Sequence, residues 1–348
     1  MDLSPCSLDR EFSDQIAALL SPPSLESAQE YHDEIIKRRQ CRGIQIKQGE
    51  FGKGVYANVD FKEDELILKD QMLVASQHSS NKIDCLVCSY CFCFIGSVEL
   101  QIGRKLYLQG LGLSAKEECD IETISDDSEE DFLVETTSQG YTRNGDCVKP
   151  CASSSMNGKT IPEEILASLM NNSLVLPYSE RFSLPPVVSC PGGCEEEHYC
   201  SKLCAEADWE AFHSLLCTGE KSDSPRREAV VKFIEHASRT NDIFILAAKV
   251  ISSTILKYKK LKAARFGREV PVNNGTNISC FTLLLEAWKP VSMGFKNRWW
   301  DCVALPNDVD SNNEVSFRMQ IRDLAYTSLQ LLREAIFDEE YAPCILEG

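Results

Sequence analysis

The residues able to do chemistry gather between Cys190 and Cys217, in the stretch CPGGCEEEHYCSKLCAEADWEAFHSLLC. Cys190 and Cys194 make one close pair, Cys200 and Cys204 a second, and His213 and Cys217 a third, the last reading as part of a short helix. Thiolate and imidazole are the donors that Zn2+ prefers, and a tetrahedral structural site takes four of them. Six donors fall short of two full sites, so a further pair must come from elsewhere. The run CLVCSYCFC at 85–93 offers it. The competing reading is buried or disulfide-bonded cysteine. No N-terminal apolar segment of leader or membrane-spanning type is present, which points to a reducing compartment where disulfides are rare. The pairing therefore predicts bound zinc.

These donors need elements to hold them. Residues 1–40 pattern as two short helices separated by SPPS at 21–24. The second, about 25–40, ends on Lys37, Arg38 and Arg39, which suits the negative end of a helix dipole. GIQIKQ at 43–48 alternates like a strand. The glycine turn GEFGKGVYA at 49–57 follows, and by itself it reads as a tight hairpin whose glycines permit positive φ. Val55, Ala57 and Val59 alternate with Tyr56 and Asn58, as in a half-buried strand. ELILKD at 65–70 and MLVAS at 72–76 are expected to complete a small β cluster just before Cys85.

The region 97–189 reads as an insert. LYLQGLGL at 106–113 is expected as a strand, and 114–158 has no sustained periodicity. TIPEEILASLM at 160–170 reads as a helix, with Thr160 as cap, Pro162 in the first turn and Glu163 at capping-box spacing. Beyond Cys217, Ser224-Pro225 opens a helix over 224–238. A longer, buried helix capped by Asn241 covers 241–262. Ser252, Ser253, Thr254 and nearby lysines make it a poor membrane span. A Gly/Asn-rich loop at 267–279, the run FTLLLEAW and a helix at about 314–337 finish the pattern. Phe317, Ile321, Leu324, Leu331 and Leu332 recur there at helical spacing.

A chain of 348 residues can hold two or three domains. Its formal net charge of −17 argues against broad, sequence-independent binding to DNA, which depends on neutralising phosphates. The same charge suits basic partners. The stretch DIETISDDSEED at 120–131 is acidic throughout and reads as a solvated, disordered linker. KYKKLKAARFGR at 257–268 reads as a solvated helix end, with a nuclear-import patch as the alternative. Trp299 and Trp300 are expected to pack against neighbouring helices rather than form a peptide platform.

Tyr199, Cys200, Ser201, Trp209, His213 and Cys217 stand in the order of the MYND zinc finger, which this stretch resembles. The resemblance implies a cross-brace with two zinc ions. One would take Cys88, Cys91, Cys200 and Cys204; the other would take Cys190, Cys194, His213 and Cys217. Cys85 competes with Cys91 as partner of Cys88, and Cys93 lies close by. The family pattern favours Cys88 and Cys91, because an aromatic, here Phe92, directly follows the pair. The first two pairs are far more widely separated than in a compact finger. Lengthening a loop about tenfold costs only about 2 kcal/mol, against roughly 10–16 kcal/mol from a structural zinc.

The finger preceded by the turn Gly52, Lys53, Gly54, Val55 and Tyr56 resembles the SET-and-MYND family of S-adenosylmethionine-dependent protein-lysine methyltransferases. With NDIFILAAKVIS and WWDCVALP, residues 40–337 look most like the plant trithorax-related SET-domain histone-lysine methyltransferases. The fold implied is α+β: an incomplete SET-domain β cluster interrupted by a split MYND-type zinc finger, followed by an α-helical segment. Its parts would be an N-terminal helical segment (1–40), the N-terminal part of SET (41–84), the first cysteine pair (85–96), the insert (97–189), the rest of the finger (190–217) and a helical region (218–348). The resemblance further implies that Gly52–Tyr56 lies against S-adenosylmethionine, that the substrate is a histone or other basic protein, and that the finger contacts proline-rich peptides or transcription factors. It implies a nuclear location with a cytoplasmic share, no direct sequence-specific DNA contact and no membrane.

The family's catalytic half carries an Asn-His-Ser-Cys stretch, a channel Tyr and a cysteine cluster after SET. Here the histidines are His32, His78, His198, His213 and His236, and of the cysteines only Cys344 lies near the end. The expectation is a C-terminally truncated chain, inactive alone, in which no catalytic residue can be named. A non-catalytic, zinc-dependent interaction module is the competing function. A RING-like ubiquitin-transfer module is weaker, since the Tyr-Cys-Ser, Trp, His and Cys order argues against it.

Overall fold

The computed structural model describes residues 13–50, 52–70, 72–112, 161–221, 224–266, 280–294, 298–306 and 309–336. The acidic stretch within 114–158, the loop at 267–279 and the cap Thr160 lie outside the described residues.

Helices α1 (Ser13–Leu20) and α2 (Leu25–Arg38) open the fold. Ser24 caps α2, its hydroxyl accepting from the Ser27 amide at 3.2 Å. The hairpin of β1 (Ile44–Gly49) and β2 (Gly52–Ala57) follows, antiparallel, with Ile44 opposite Ala57 and Gly49 opposite Gly52. Gly52 has φ +99°, a conformation that disfavours any residue with a Cβ. Residues 65–70 and 72–76, expected as strands, carry no regular structure. A strand needs a neighbour for its backbone groups, and among the described residues β1 and β2 pair only with each other. Leu66, Ile67 and Leu68 are left exposed.

Helix α3 (Asn81–Asp84) leads into the first cysteines, and α4 (Val98–Gly110) follows them. Of the strand expected at 106–113, the residues through Gly110 form the last turns of α4 instead, and Leu113 lies outside the described residues. Ser97 caps this helix, accepting from the Leu100 amide at 3.0 Å. Gln101 bonds the Leu86 amide at 2.8 Å and the carbonyls of Leu86 and Ile95 at 2.6 and 2.8 Å. With the first turns fixed, each added residue gains a hydrogen bond at small entropic cost, so the helix runs on through Gly110. Helix α5 (Glu163–Met170) begins after Pro162 and packs across α4 at Gly103, where a Cβ would meet that of Leu169 at 2.9 Å. Glu99, buried in the first turn of α4, accepts from the Leu176 amide at 2.8 Å. The Ser179 hydroxyl and that amide hold its carboxyl down at about 2.

The C-terminal half is helical: α8 (Ser224–Thr240), α9 (Ile243–Phe266), α10 (Cys280–Ser292), α11 (Trp299–Cys302) and α12 (Glu314–Ile336). Asn241 caps α9, its side-chain oxygen accepting from the Ile243 amide at 2.9 Å. Val230, Phe233, Ala237, Phe244, Ala248, Leu332, Ala335 and Ile336 form the largest core. Trp299 meets Phe244 edge to face at 5.3 Å, and Trp300 lies 6.2 Å from Tyr326, so both tryptophans pack. Two lysines of the basic run are engaged: Lys257 bonds the Glu286 carbonyl at 3.2 Å, and Lys260 pairs with Glu210 at 2.9 Å. Helix α10 also carries the N-terminal part, since the Trp288 indole donates to the Leu19 carbonyl at 3.0 Å. No helix among the described residues is long and apolar enough to cross a membrane.

Glu99→Gln is expected to lower the melting temperature at pH 7. A carboxyl whose folded pKa is depressed stabilises the fold above its ordinary value of 4.5 and loses that contribution as pH falls toward about 2. Thermal melts of both proteins between pH 7 and pH 2 check this: the difference should shrink across that window, and an unchanged gap at pH 2 contradicts the assignment.

Candidate metal centres

Two short hairpin strands, β3 (Val188–Ser189) and β4 (His198–Tyr199), begin the finger. Ser201 then caps α6 (Lys202–Asp208), accepting from the Cys204 amide at 3.2 Å. A π-turn over Trp209–His213 and the short α7 (Ser214–Leu216) complete it. The widened turn carries His213, and the Trp209 ring edge meets the imidazole at 5.9 Å. The segment 85–93 is stitched to β4 by two bonds. The Ser89 amide donates to the His198 carbonyl at 2.8 Å, and the His198 amide donates to the Ser89 hydroxyl at 3.2 Å.

These elements gather two groups of donors. The sulfurs of Cys88, Cys91, Cys200 and Cys204 all lie within 4.8 Å of one another, as do the donor atoms of Cys190, Cys194, His213 and Cys217. In the first group only Cys88 is buried and Cys91 is exposed; in the second every residue is buried. The described cysteines are all free of disulfides. Cys91 and Cys200 sulfurs are 3.6 Å apart, Cys200 and Cys204 3.4 Å, and Cys190 and Cys217 3.8 Å. The His213 Nε2 lies 3.1 Å from the Cys190 sulfur and 3.3 Å from that of Cys194. Two thiolates on one tetrahedral zinc, with Zn–S near 2.3 Å, sit about 3.8 Å apart, and a thiolate and an imidazole nitrogen about 3.5 Å. The donor sets and their spacing fit zinc.

The surroundings suit metal-bound thiolates. The Gly192 amide donates to the Cys190 sulfur at 3.2 Å, and the Gly219 amide to that of Cys217 at 3.3 Å. Contact with Cys217, together with burial, pushes Cys194 up to about 12. Burial lowers His213, but the thiols of Cys190 and Cys194 outweigh it and carry it to about 10. A metal ion displaces such protons on binding. Below the clusters, the Tyr199 hydroxyl donates to the Asp208 carboxylate at 2.7 Å, both residues being buried. Burial raises the pKa of each.

The remaining candidates fall elsewhere. Cys85 turns away, its sulfur 3.5 Å from both the Asn81 carbonyl and the Gln77 amide nitrogen. Cys93 stays beside the first group, 3.4 Å from the Cys91 sulfur. Gly52, Lys53, Gly54, Val55 and Tyr56 lie on β2, with Lys53, Val55 and Tyr56 exposed. The Lys53 amine donates to the Met293 carbonyl at the end of α10. A Cβ on Gly52 would meet nothing within 4 Å, so the backbone there is open to a ligand on that side.

Sequence reasoning missed Asp208, whose partner Tyr199 lies on a different element nine residues earlier, and missed Gly192 and Gly219. The glycines did leave a signal: each stands two residues after a cysteine, in Cys-Pro-Gly and Cys-Thr-Gly. A Cβ on Gly219 would lie 2.1 Å from the Gly192 carbonyl oxygen, and one on Gly192 would lie 2.4 Å from the Cys217 sulfur.

Gly219→Ala is therefore expected to destabilise the finger by about 1–3 kcal/mol, as overpacking does, and to weaken the buried cluster selectively. Metal content by elemental analysis after mild chelation checks this: the variant should lose one ion per chain sooner than the parent, and identical loss curves contradict it. In the parent, a chelator should strip the partly exposed cluster before the buried one.

Comparison with known proteins places this geometry. A family model described as MYND finger matches residues 184–217. That span holds Cys190, Cys194, Cys200, Cys204, His213 and Cys217, while Cys88 and Cys91 lie outside it. No solved structure matches. The chain is 54% identical over 333 residues to histone-lysine N-methyltransferase ATXR2 of Arabidopsis thaliana, an alignment covering 95% of this chain and 67% of that protein. Identity at that level over nearly the whole chain, with a MYND finger among its metal-binding clusters, means that the chain belongs to the same family as this Arabidopsis histone-lysine N-methyltransferase.

Proposed function

We propose that the protein serves in S-adenosylmethionine-dependent methylation of histone lysines, with the zinc-bound finger as its organising and partner-contacting part. The alignment with the Arabidopsis enzyme over 95% of the chain is the observation that carries this reading. In this reading the chain runs from a SET-type hairpin through a finger split around an insert to a helical region. One zinc is held by Cys88, Cys91, Cys200 and Cys204, and the other by Cys190, Cys194, His213 and Cys217. Elemental analysis under reducing conditions should find two zinc ions per chain; a value near zero with an intact fold sinks the assignment.

S-adenosylmethionine, when bound, supplies a methyl group on a sulfonium for in-line displacement by a neutral lysine amine. In this chain the backbone of Gly52–Tyr56 forms one wall for it. The open side at Gly52 and the tether from Lys53 to the Met293 carbonyl support that role. The acidic chain suits a basic histone substrate, and nuclear residence accords with it. No residue here matches the Asn-His-Ser-Cys stretch or the channel tyrosine, and catalysis by such enzymes rests mainly on holding both partners in register.

The test is a chimera in which this chain replaces the matching region of the Arabidopsis enzyme. It should transfer labelled methyl groups from S-adenosylmethionine to histones, and the same chimera with Gly54→Trp should not. By itself this chain should leave histones unlabelled. A chimera that folds with two zinc ions yet transfers nothing overturns the enzymatic reading and favours a non-catalytic interaction module.

A further inference from the structure

The partly exposed cluster has one sulfur more than a tetrahedral metal needs. The Cys93 sulfur lies 3.4 Å from that of Cys91, no farther than Cys91 lies from Cys200 at 3.6 Å. Cys93 also contacts Cys200. Sulfurs that share a zinc sit about 3.8 Å apart, so Cys93 stands close beside two members of the group, Cys91 and Cys200, though outside the four whose sulfurs all lie within 4.8 Å of one another. The loop holds it there by its backbone. The Cys88 amide donates to the Cys93 carbonyl at 2.8 Å, and the Phe92 amide donates to the Cys88 carbonyl at 2.9 Å. Phe92 takes a left-handed φ of 60°, so the chain doubles back and sets the sulfurs of Cys91 and Cys93 on the same side. Cys91 is exposed and Cys93 half-buried. The other cluster differs: its four donors are all buried, and no fifth cysteine contacts them among the described residues.

We propose that the first zinc site has interchangeable fourth ligands, with Cys91 and Cys93 alternating while Cys88, Cys200 and Cys204 stay bound. In the exchange a zinc bond to the Cys93 sulfur forms as the bond to the Cys91 sulfur breaks. The proton of the incoming thiol passes through solvent to the departing thiolate. Zinc keeps four ligands and its charge, and no oxidant or reductant takes part. One thiol per chain is thereby always left beside the metal. The inference rests on the reading that this cluster holds zinc.

The experiment uses the full chain with Cys91→Ser, Cys93→Ser, both together, and Cys200→Ser as a control. Zinc per chain is measured by elemental analysis, and the cluster is also read by the ligand-field and thiolate charge-transfer bands of the Co2+-substituted protein. The parent and both single variants should hold two ions and give a four-sulfur spectrum of similar intensity. The double variant and Cys200→Ser should hold one, the survivor in the buried cluster reporting that the finger still folds. If Cys91→Ser alone falls to one ion while Cys93→Ser keeps two, the interchange is refuted and Cys91 is the sole fourth ligand. A parent chain without zinc refutes instead the reading on which the proposal rests.

Discussion

Everything in the fold depends on one closure: sulfurs 109 residues apart in sequence, those of Cys91 and Cys200, come to rest 3.6 Å from each other. No continuous sheet or helix joins the two segments. The bonds between Ser89 and His198 align them, but two such hydrogen bonds contribute only about 1 kcal/mol each. A tetrahedral ion taking donors from both segments would supply the rest. The core around it reflects this. Its buried members are mostly the ligands themselves, with Ile95, Tyr199 and Ala205 filling between them. In a region this small, metal bonds would take the place of the hydrophobic interior.

The long helix α9 carries that closure to the rest of the chain. The Lys249 amine, on a buried residue, donates to the Ala75 carbonyl at 3.1 Å and lies 5.7 Å from the centre of the Phe212 ring. Asp242 takes the Ser79 amide at 2.7 Å and sits 3.4 Å from the His78 ring nitrogen. Burial tends to raise the Glu197 carboxyl, but Lys82 and Lys249 hold it below its usual range. The segment before the first cysteines and the turn that bears His213 thus lean on the same helix. The finger and the helical half share one set of contacts rather than meeting across a linker.

Much of this was legible. The cysteine pairs, the Asn241 cap and the helices after the finger each announce themselves by local rules: donor spacing, an amide side chain before an apolar run, a 3.6-residue period. The failures have a common cause. ELILKD and LYLQGLGL are apolar runs short enough to be strand or helix, and only tertiary partners decide. ELILKD found no strand to pair with. LYLQGLGL was drawn into a helix nucleated at Ser97 and Gln101, several residues upstream. The relation of Tyr199 to Asp208 was hidden for the same reason, since a buried hydrogen bond between a strand and a helix end has no period in the sequence. Gly192 and Gly219 could have been found, had the spacing after each cysteine been weighed as backbone geometry.

Those two glycines have a kinetic consequence. At Gly219 the backbone of one segment runs against the Gly192 carbonyl with no room for a single added carbon, and the four donors behind it are buried. Water and competing chelators reach that metal only when the backbones part. The residence time of an ion held there would depend on how often the finger opens as well as on the strength of the metal–sulfur bonds. Metal exchange at the buried cluster therefore works as a clock for local unfolding.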